Sequence, residues 1–171
     1  VKKERFVMEQ ILYKSTRSED GALKASEAIL KGLADDGGLF VPIELPELDK
    51  SMKELAGMKY QEVAYEVMKL FFTDFTEEEL KKCIDKAYDE KFDTEEIAPL
   101  AQVKDPYHLE LFHGPTIAFK DMALQILPHL LTTSAKKNGV ENDIVILTAT
   151  SGDTGKAALA GFAGVEGTKI S

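Results

Sequence analysis

A strand that is apolar along its whole length constrains the fold of this chain more than any other feature. Residues 144–147 read IVIL and lead through TAT into the turn SGDTG, after which residues 155–163 have a helical pattern. A short continuous apolar run is typical of a parallel strand covered on both faces. Because parallel strands are joined by crossover connections, the pattern predicts right-handed β-α-β units in an open α/β sheet.

The alternation of strand and helix begins near residue 97. Residues 109–112 (LELF) predict a short strand, and residues 120–137 predict a helix that Pro128 kinks or interrupts. We therefore expect residues 97–171 to be the first, truncated part of an α/β domain with an incomplete doubly wound parallel sheet. Two or three parallel strands cannot cover both of their faces, so this pattern predicts a longer protein.

Residues 1–96 differ from the rest of the chain and predict a mixed, largely helical N-terminal region. A helix at residues 26–34, with Ser26 as its N-cap, is expected to end in a Gly-Gly turn that leads into a short apolar strand. Thr76 and Glu79 form a capping-box sequence at the start of a later helix. These elements are expected to pack and not to carry chemistry.

The composition excludes several classes of function. The 171 residues carry a formal net charge of −9, which opposes binding to nucleic acid or to an anionic membrane surface. No apolar run approaches the roughly 18 residues of a membrane span, and no signal-peptide core is visible, so a cytoplasmic protein is expected. The basic segment Lys2, Lys3 and Arg5 is interpreted as a solvated tail. The single cysteine, Cys83, excludes an internal disulfide, and the histidines lack metal-ligand spacing, so no metal site is predicted.

The first candidate for chemistry is the stretch HGPTIAFKDMALQ, residues 113–125, in which a Gly-Pro turn precedes Lys120 at a predicted helix start. A nearby helix dipole and burial beside Phe119 would both disfavour the ammonium form. A neutral lysine amine attacks aldehydes and forms Schiff bases. The alternative is a surface lysine paired with Asp121, and these residues alone leave both interpretations open.

The second candidate is TATSGDTGKAA, residues 148–158, in which a strand runs through a turn into a helix. Backbone amides at such a helix start bind anions, and Ser151 and Thr154 add hydroxyl donors. The glycine spacing matches neither a Walker A loop nor a dinucleotide fingerprint. Asp153 opposes a doubly charged phosphate but tolerates a carboxylate, so the turn suits a substrate carboxylate. A plain helix N-cap by Ser151 is the alternative.

Together, ELFHGPTIAFKDMALQ and ILTATSGDTGKAA resemble the threonine synthase family, pyridoxal-phosphate enzymes of the tryptophan-synthase β-like fold. The earlier stretches YKSTRSEDG and GLADDGGLFVP are similar to the N-terminal region of that family, in the same order and spacing. The resemblance covers nearly all of residues 11–171.

The resemblance implies that Lys120 is the catalytic residue and carries pyridoxal 5′-phosphate covalently on its amine. It implies a reaction in which O-phospho-L-homoserine and water become L-threonine and phosphate, with the cofactor as electron sink. It also implies further site residues, which are Phe119 and Asp153 for the cofactor and Thr116, Ser151, Gly152, Thr154 and Gly155 for the substrate.

Members of this family are several hundred residues long, and their glycine-rich loop for the cofactor phosphate is expected beyond Ser171. The chain by itself is therefore expected to be inactive, with the missing C-terminal part of the same protein as its partner. Two other functions stay open, a threonine-synthase-like phospho-lyase that leaves a keto acid and a noncatalytic binding module. Arg17 is a candidate for a substrate phosphate or a salt bridge, and His113 for a hydrogen-bonded turn residue or an acid-base group.

Overall fold

The structure, a computed structural model, describes residues 10–18 and 21–171 and is a mixed α/β fold. The basic segment with Lys2, Lys3 and Arg5 lies outside the described residues. Within those two ranges, no helix is long and apolar enough to cross a membrane.

The N-terminal part begins with strand β1 (Tyr13–Ser15), helix α1 (Ala25–Lys31) and strand β2 (Phe40–Pro42), and β1 and β2 pair antiparallel. Helix α1 is shorter than residues 26–34, because Gly32 turns the chain at a φ of 70°. The prediction that Ser26 caps it is wrong. Ser26 is buried inside the helix, where its N–H donates to Asp74 Oδ2 at 3.2 Å.

Three helices follow, α2 (Met52–Leu55), α3 (Tyr60–Phe71) and α4 (Glu77–Ala87). The predicted capping box at α4 is confirmed. Thr76 Oγ1 accepts from the Glu79 N–H at 3.2 Å, and the Thr76 N–H donates to Glu79 Oε2 at 2.8 Å. Two backbone donors are thereby satisfied at the helix start.

Strands β3 (Leu100–Gln102) and β4 (Tyr107–Leu109) form an antiparallel hairpin. The prediction of a strand at residues 109–112 is therefore wrong, since only Leu109 of that run is in a strand. The reason is the position of the turn, which the Val103 N–H closes by donating to the Pro106 carbonyl at 3.1 Å. This turn pairs Tyr107–Leu109 with β3, and the residues after Leu109 leave the hairpin.

The remaining elements are α5 (Asp121–Leu124), α6 (Leu127–Lys137), β5 (Ile144–Ile146), α7 (Asp153–Phe162) and β6 (Thr168–Ile170). The predicted interruption near Pro128 is confirmed. The helix stops after Leu124, and Pro128 lies in the first turn of α6, where a missing N–H breaks no helical hydrogen bond.

Strands β5 and β6 pair parallel across α7, which confirms the predicted β-α-β connection. Among the described residues this sheet has two strands, so the wider doubly wound sheet stays a prediction. Val145 of β5 is 68% exposed, and Leu147, which directly follows the strand, is 84% exposed.

One hydrophobic core joins the two parts of the chain. Leu80 and Ile84 of α4 belong to a cluster of buried residues that also contains Ile97. The same cluster includes Ile126, directly before α6, and Leu130 within α6. The predicted boundary between residues 1–96 and 97–171 separates a largely helical part from a part in which strands and helices alternate. That it is also a domain boundary stays a prediction.

Candidate active site

The loop that leads to Lys120 is closed by a buried carboxylate. Asp121, fully buried, accepts from the Thr116 N–H at its Oδ2 and from the Thr116 hydroxyl at its Oδ1, both at 2.8 Å. A Cβ placed on Gly114 would lie 2.6 Å from the Asp121 Cβ and Oδ2 atoms, so only glycine fits there. The carboxylate therefore fixes the loop against the first turn of α5.

The same loop contains a residue with a strained backbone conformation. Ile117 has a φ of 61°, a left-handed conformation that β-branched residues rarely adopt. Its side chain is 73% exposed, so burial of that side chain does not compensate for the conformation. Strain of this kind costs about 1–3 kcal/mol and is frequent at functional sites.

Lys120 lies directly before α5, with its side chain half-buried. Its Nζ atom lies 4.7 Å from the centroid of the Phe119 ring. Within the part of the chain that the structure describes, this amine makes no hydrogen bond or ion pair. The interpretation of a surface lysine paired with Asp121 is wrong, because no ion pair joins the two residues in the described chain and the Asp121 carboxylate is fully buried against Thr116.

Two physical reasons for a reactive Lys120 are weaker in the structure than the sequence suggested. Phe119 is itself 58% exposed, so its ring does not form a buried environment beside the lysine. Helix α5 has four residues, so its dipole is small. What remains is an amine at the end of a tightly held loop, without a hydrogen bond or ion pair to any described residue.

The second stretch is held by a residue that the sequence reasoning missed. Thr150 Oγ1 accepts from the Gly155 N–H at 2.8 Å, and the N-cap of α7 is Gly152 at a φ of 155°. The interpretation of Ser151 as the side-chain cap is thus wrong. A Cβ on Gly155 would lie 2.5 Å from Thr150 Oγ1, so glycine is needed for this contact. A threonine just ahead of a helix start could have pointed to Thr150, since hydroxyls there often bind backbone amides.

The start of α7 is exposed from Ser151 to Thr154. Among the described residues, no acceptor is bound to the amides of Asp153 and Thr154, the first two of the helix. Amides in this position bind a carboxylate or another anion, helped by the helix dipole. The ten-residue length of α7 makes its dipole stronger than that of α5.

The two stretches are in direct contact. Lys156 Nζ in the first full turn of α7 donates to the Thr116 carbonyl at 3.1 Å. Further along α7, a Cβ on Gly161 would lie 2.1 Å from the Leu124 carbonyl oxygen, so α7 approaches the end of α5 at backbone distance. The lysine loop and the SGDTG turn therefore lie on neighbouring elements.

His113 is held at the start of the lysine loop. Its Nδ1 lies 2.5 Å from Asp93 Oδ1, and its Nε2 lies 2.8 Å from Glu110 Oε2. Hydrogen bonds to Glu110 and then Asp93 raise the pKa of the imidazole above its ordinary value. The predicted hydrogen bonding of His113 is confirmed, although the residue lies just ahead of the turn, and an acid-base role stays a prediction.

Arg17 is not brought to the other candidates in the described ranges. Its Nη1 donates to the Asp36 carbonyl at 3.1 Å, beside the β1–β2 pair. Asp36 itself accepts from the Gly38 N–H and the Ser15 hydroxyl, both at 2.8 Å, and these bonds hold the pKa of its carboxyl below the usual value. Arg17 thus stabilises the N-terminal turn.

A cavity of about 700 Å³ lies away from this site. It lies between α3 and the segment after α4 and is lined by Tyr60, Phe92 and Ile97 among others. No residue of either candidate stretch lines it. The candidate site consists of the half-buried Lys120 and the exposed start of α7, on two elements that the bond from Lys156 to Thr116 connects.

Comparison with known proteins gives consistent matches. Residues 12–88 match the family described as threonine synthase N terminus. The chain is 43% identical over 165 residues to threonine synthase from Schizosaccharomyces pombe, covering 91% of this chain and 32% of that protein. It is 44% identical over 154 residues to threonine synthase from Pseudomonas aeruginosa, covering 87% of this chain and 32% of that protein.

A solved structure is also similar along nearly the whole chain. PLP-bound threonine synthase from Brucella melitensis superposes with a TM-score of 0.83 at 37% identity, covering 94% of this chain and 34% of that one. The chain thus spans about a third of the length of the relatives that it matches.

Proposed function

Because the chain belongs to the threonine synthase family and matches the N-terminal third of its members, we propose that the complete enzyme converts O-phospho-L-homoserine and water to L-threonine and phosphate. In this proposal pyridoxal 5′-phosphate is the cofactor and Lys120 is the catalytic residue. The remaining part of the same protein is the proposed partner that completes the site.

The observation that carries the proposal is the arrangement around the Lys120 amine. The amine has no bonding partner among the described residues, and its loop is tied to α7 by the bond from Lys156 to Thr116. An unpaired amine suits the cofactor aldehyde, and the unbound amides at the start of α7 suit a substrate carboxylate. The donor set therefore fits the cofactor and an amino-acid substrate together.

The bound cofactor would supply an electron sink for the carbanionic steps. Lys120 would hold the cofactor and move protons at its Nζ atom, for which lysine is suited because its charge responds to its surroundings. Phe119 would lie beside the cofactor, since its ring already contacts the lysine amine. Asp153 is the third proposed cofactor residue, at the exposed start of α7.

The proposed substrate residues divide into two groups by what the structure shows them bonded to. Ser151, Gly152 and Thr154 are exposed and able to contact a carboxylate directly. Thr116 and Gly155 are buried, and their polar groups are bonded to Asp121, Lys156 and Thr150. We therefore propose that Thr116 and Gly155 stabilise the conformation of the binding surface and do not contact the substrate directly.

The wider fold is part of the same proposal. The β5-α7-β6 unit would belong to a doubly wound parallel sheet of the tryptophan-synthase β-like fold, with further strands beside it. The exposure of Val145 in β5 supports this, since apolar strand residues of parallel sheets are normally covered. The cytoplasmic location expected from the composition stays a prediction.

The test replaces Lys120 by alanine in the full-length enzyme that carries this sequence. We expect loss of the visible absorbance of lysine-bound cofactor and loss of phosphate release and L-threonine formation from O-phospho-L-homoserine. Lys136→Ala, at the exposed end of α6, is the matched control and should keep both signals. Normal turnover in the Lys120 variant would refute the assignment, and a keto-acid product in the wild type would indicate a phospho-lyase.

A further inference from the structure

The imidazole of His113 connects two segments that are separate in the sequence. Asp93 belongs to the segment between α4 and β3, and Glu110 directly follows β4. The ring is 15% exposed and stacks on Phe112 with centroids 4.5 Å apart. His113 also accepts at its backbone carbonyl from the Asp93 N–H at 3.0 Å.

Both carboxylate contacts are satisfied only when the ring is charged. An imidazolium donates from both nitrogens, whereas a neutral imidazole has one N–H and one lone pair. In the neutral form one nitrogen would face carboxylate lone pairs without a proton between them. Asp93 and Glu110 are the charged groups that face the ring from the described elements packed against it.

His113 is also the first residue of the loop that leads to Lys120. Gly114 follows it and packs against Asp121, and Thr116 is bonded to Asp121. The loop is therefore fixed at its far end by the carboxylate of α5 and at its near end by His113. A change at either end would move the loop relative to the start of α7.

We propose that protonated His113 is a positioning residue, which clamps the near end of the lysine loop between Asp93 and Glu110 and loosens it on deprotonation. The inference rests on the proposed function for its catalytic consequence, since Lys120 is the residue positioned. The clamp itself is a property of the fold.

The direction of the pH dependence follows from the two carboxylates. The pKa of His113 is raised in the folded protein, first by the bond to Glu110 and then by the bond to Asp93. Its stabilising contribution is fully present below the ordinary histidine pKa and is lost as the pH rises through the raised value. The loop is thus held while the imidazole is protonated and the two carboxylates are charged, and it is released as the pH rises through the raised pKa of His113.

Hydrogen exchange of the full-length protein without cofactor tests the clamp independently of activity. In the wild type, protection of the Thr116 and Ile117 amides, corrected for intrinsic exchange, should fall roughly fivefold on the alkaline side, as for one hydrogen bond lost. His113→Gln should remove this pH dependence. His108→Gln, a change at an exposed histidine of β4, should keep it.

A second variant distinguishes a titrating clamp from a merely structural histidine. Glu110→Gln keeps an oxygen acceptor but removes a negative charge, so the transition in protection should move to lower pH. An unchanged transition in this variant, or a wild-type loop whose protection does not vary with pH, would overturn the inference even if His113→Gln fails to fold.

Kinetics separate this inference from the proposed function. Wild-type kcat should decrease along the same alkaline limb, and Glu110→Gln should shift that limb to lower pH with KM little changed. A protection transition without any threonine formation would support the clamp and refute the proposed function. Normal turnover with pH-independent protection would support the function and refute the clamp.

Discussion

In Gly161→Ala, helix propensity and tertiary packing are expected to change the stability of the protein in opposite directions. Gly161 lies inside α7, where replacing glycine by alanine normally stabilises a helix by about 1 kcal/mol. In this helix the new Cβ would lie 2.1 Å from the Leu124 carbonyl oxygen and 3.0 Å from the Leu124 carbonyl carbon. Both are backbone atoms, which cannot rotate away as a flexible side chain can.

The size of the effect can be worked from this distance. Carbon and carbonyl oxygen atoms come no closer than roughly 3.3 Å in ordinary contacts, so α5 and α7 must separate by about 1.2 Å. Overpacking of this kind costs about 1–3 kcal/mol, which exceeds the gain in helix propensity. Since α7 carries the SGDTG turn and α5 follows Lys120, a displacement near 1 Å should also lower kcat about a hundredfold.

Urea unfolding and steady-state kinetics of the full-length enzyme measure the two effects. Ala160→Gly, at the neighbouring exposed position of the same helix, is the control. It should lower the free energy of unfolding by about 1 kcal/mol through propensity alone and leave kcat nearly unchanged. A Gly161→Ala enzyme that is as stable and as active as the wild type would refute the reasoning.

Two other predictions follow from the same site. Gly155→Ala should lower the free energy of unfolding by about 1 kcal/mol or more in the wild type, because its Cβ would lie 2.5 Å from Thr150 Oγ1. In a Thr150→Ala background, Gly155→Ala should instead raise the free energy of unfolding, because alanine favours the helix and the hydroxyl is gone. An equal effect of Gly155→Ala in both backgrounds would contradict the proposed contact. The polypeptide of residues 1–171 with added pyridoxal phosphate should show no saturable visible band of lysine-bound cofactor and no turnover, because α7 and Lys120 offer only part of a site. Absorbance titration measures this, and a stable, saturable band would contradict it.

Features that depend on neighbouring residues in the chain were predictable from the sequence. The capping box of Thr76 and Glu79, the interruption near Pro128 and the parallel connection from β5 to β6 are confirmed. The capping box and the interruption depend on residues within a few positions of each other. The parallel connection follows from a continuous apolar run, which is typical of a parallel strand covered on both faces.

Pairing and capping partners were less predictable. The strand expected at residues 109–112 failed because a turn at residues 103–106 recruits Tyr107–Leu109 into a hairpin. A cap by Ser151 was the alternative interpretation at the start of α7, but the hydroxyl that accepts from the Gly155 amide is that of Thr150. In both cases several neighbouring residues could form the strand or the cap. The geometry of the backbone determines which of them does.

The sequence was enough to predict Lys120 and the SGDTG turn as the candidate site, because the two motifs together resemble the threonine synthase family. Only the tertiary structure decided how they are held. The bonds from Lys156 to Thr116 and from His113 to Asp93 join residues 40 and 20 positions apart. Such contacts arise when helices and loops pack in three dimensions, and no spacing along the chain encodes which distant atoms then come within hydrogen-bond distance.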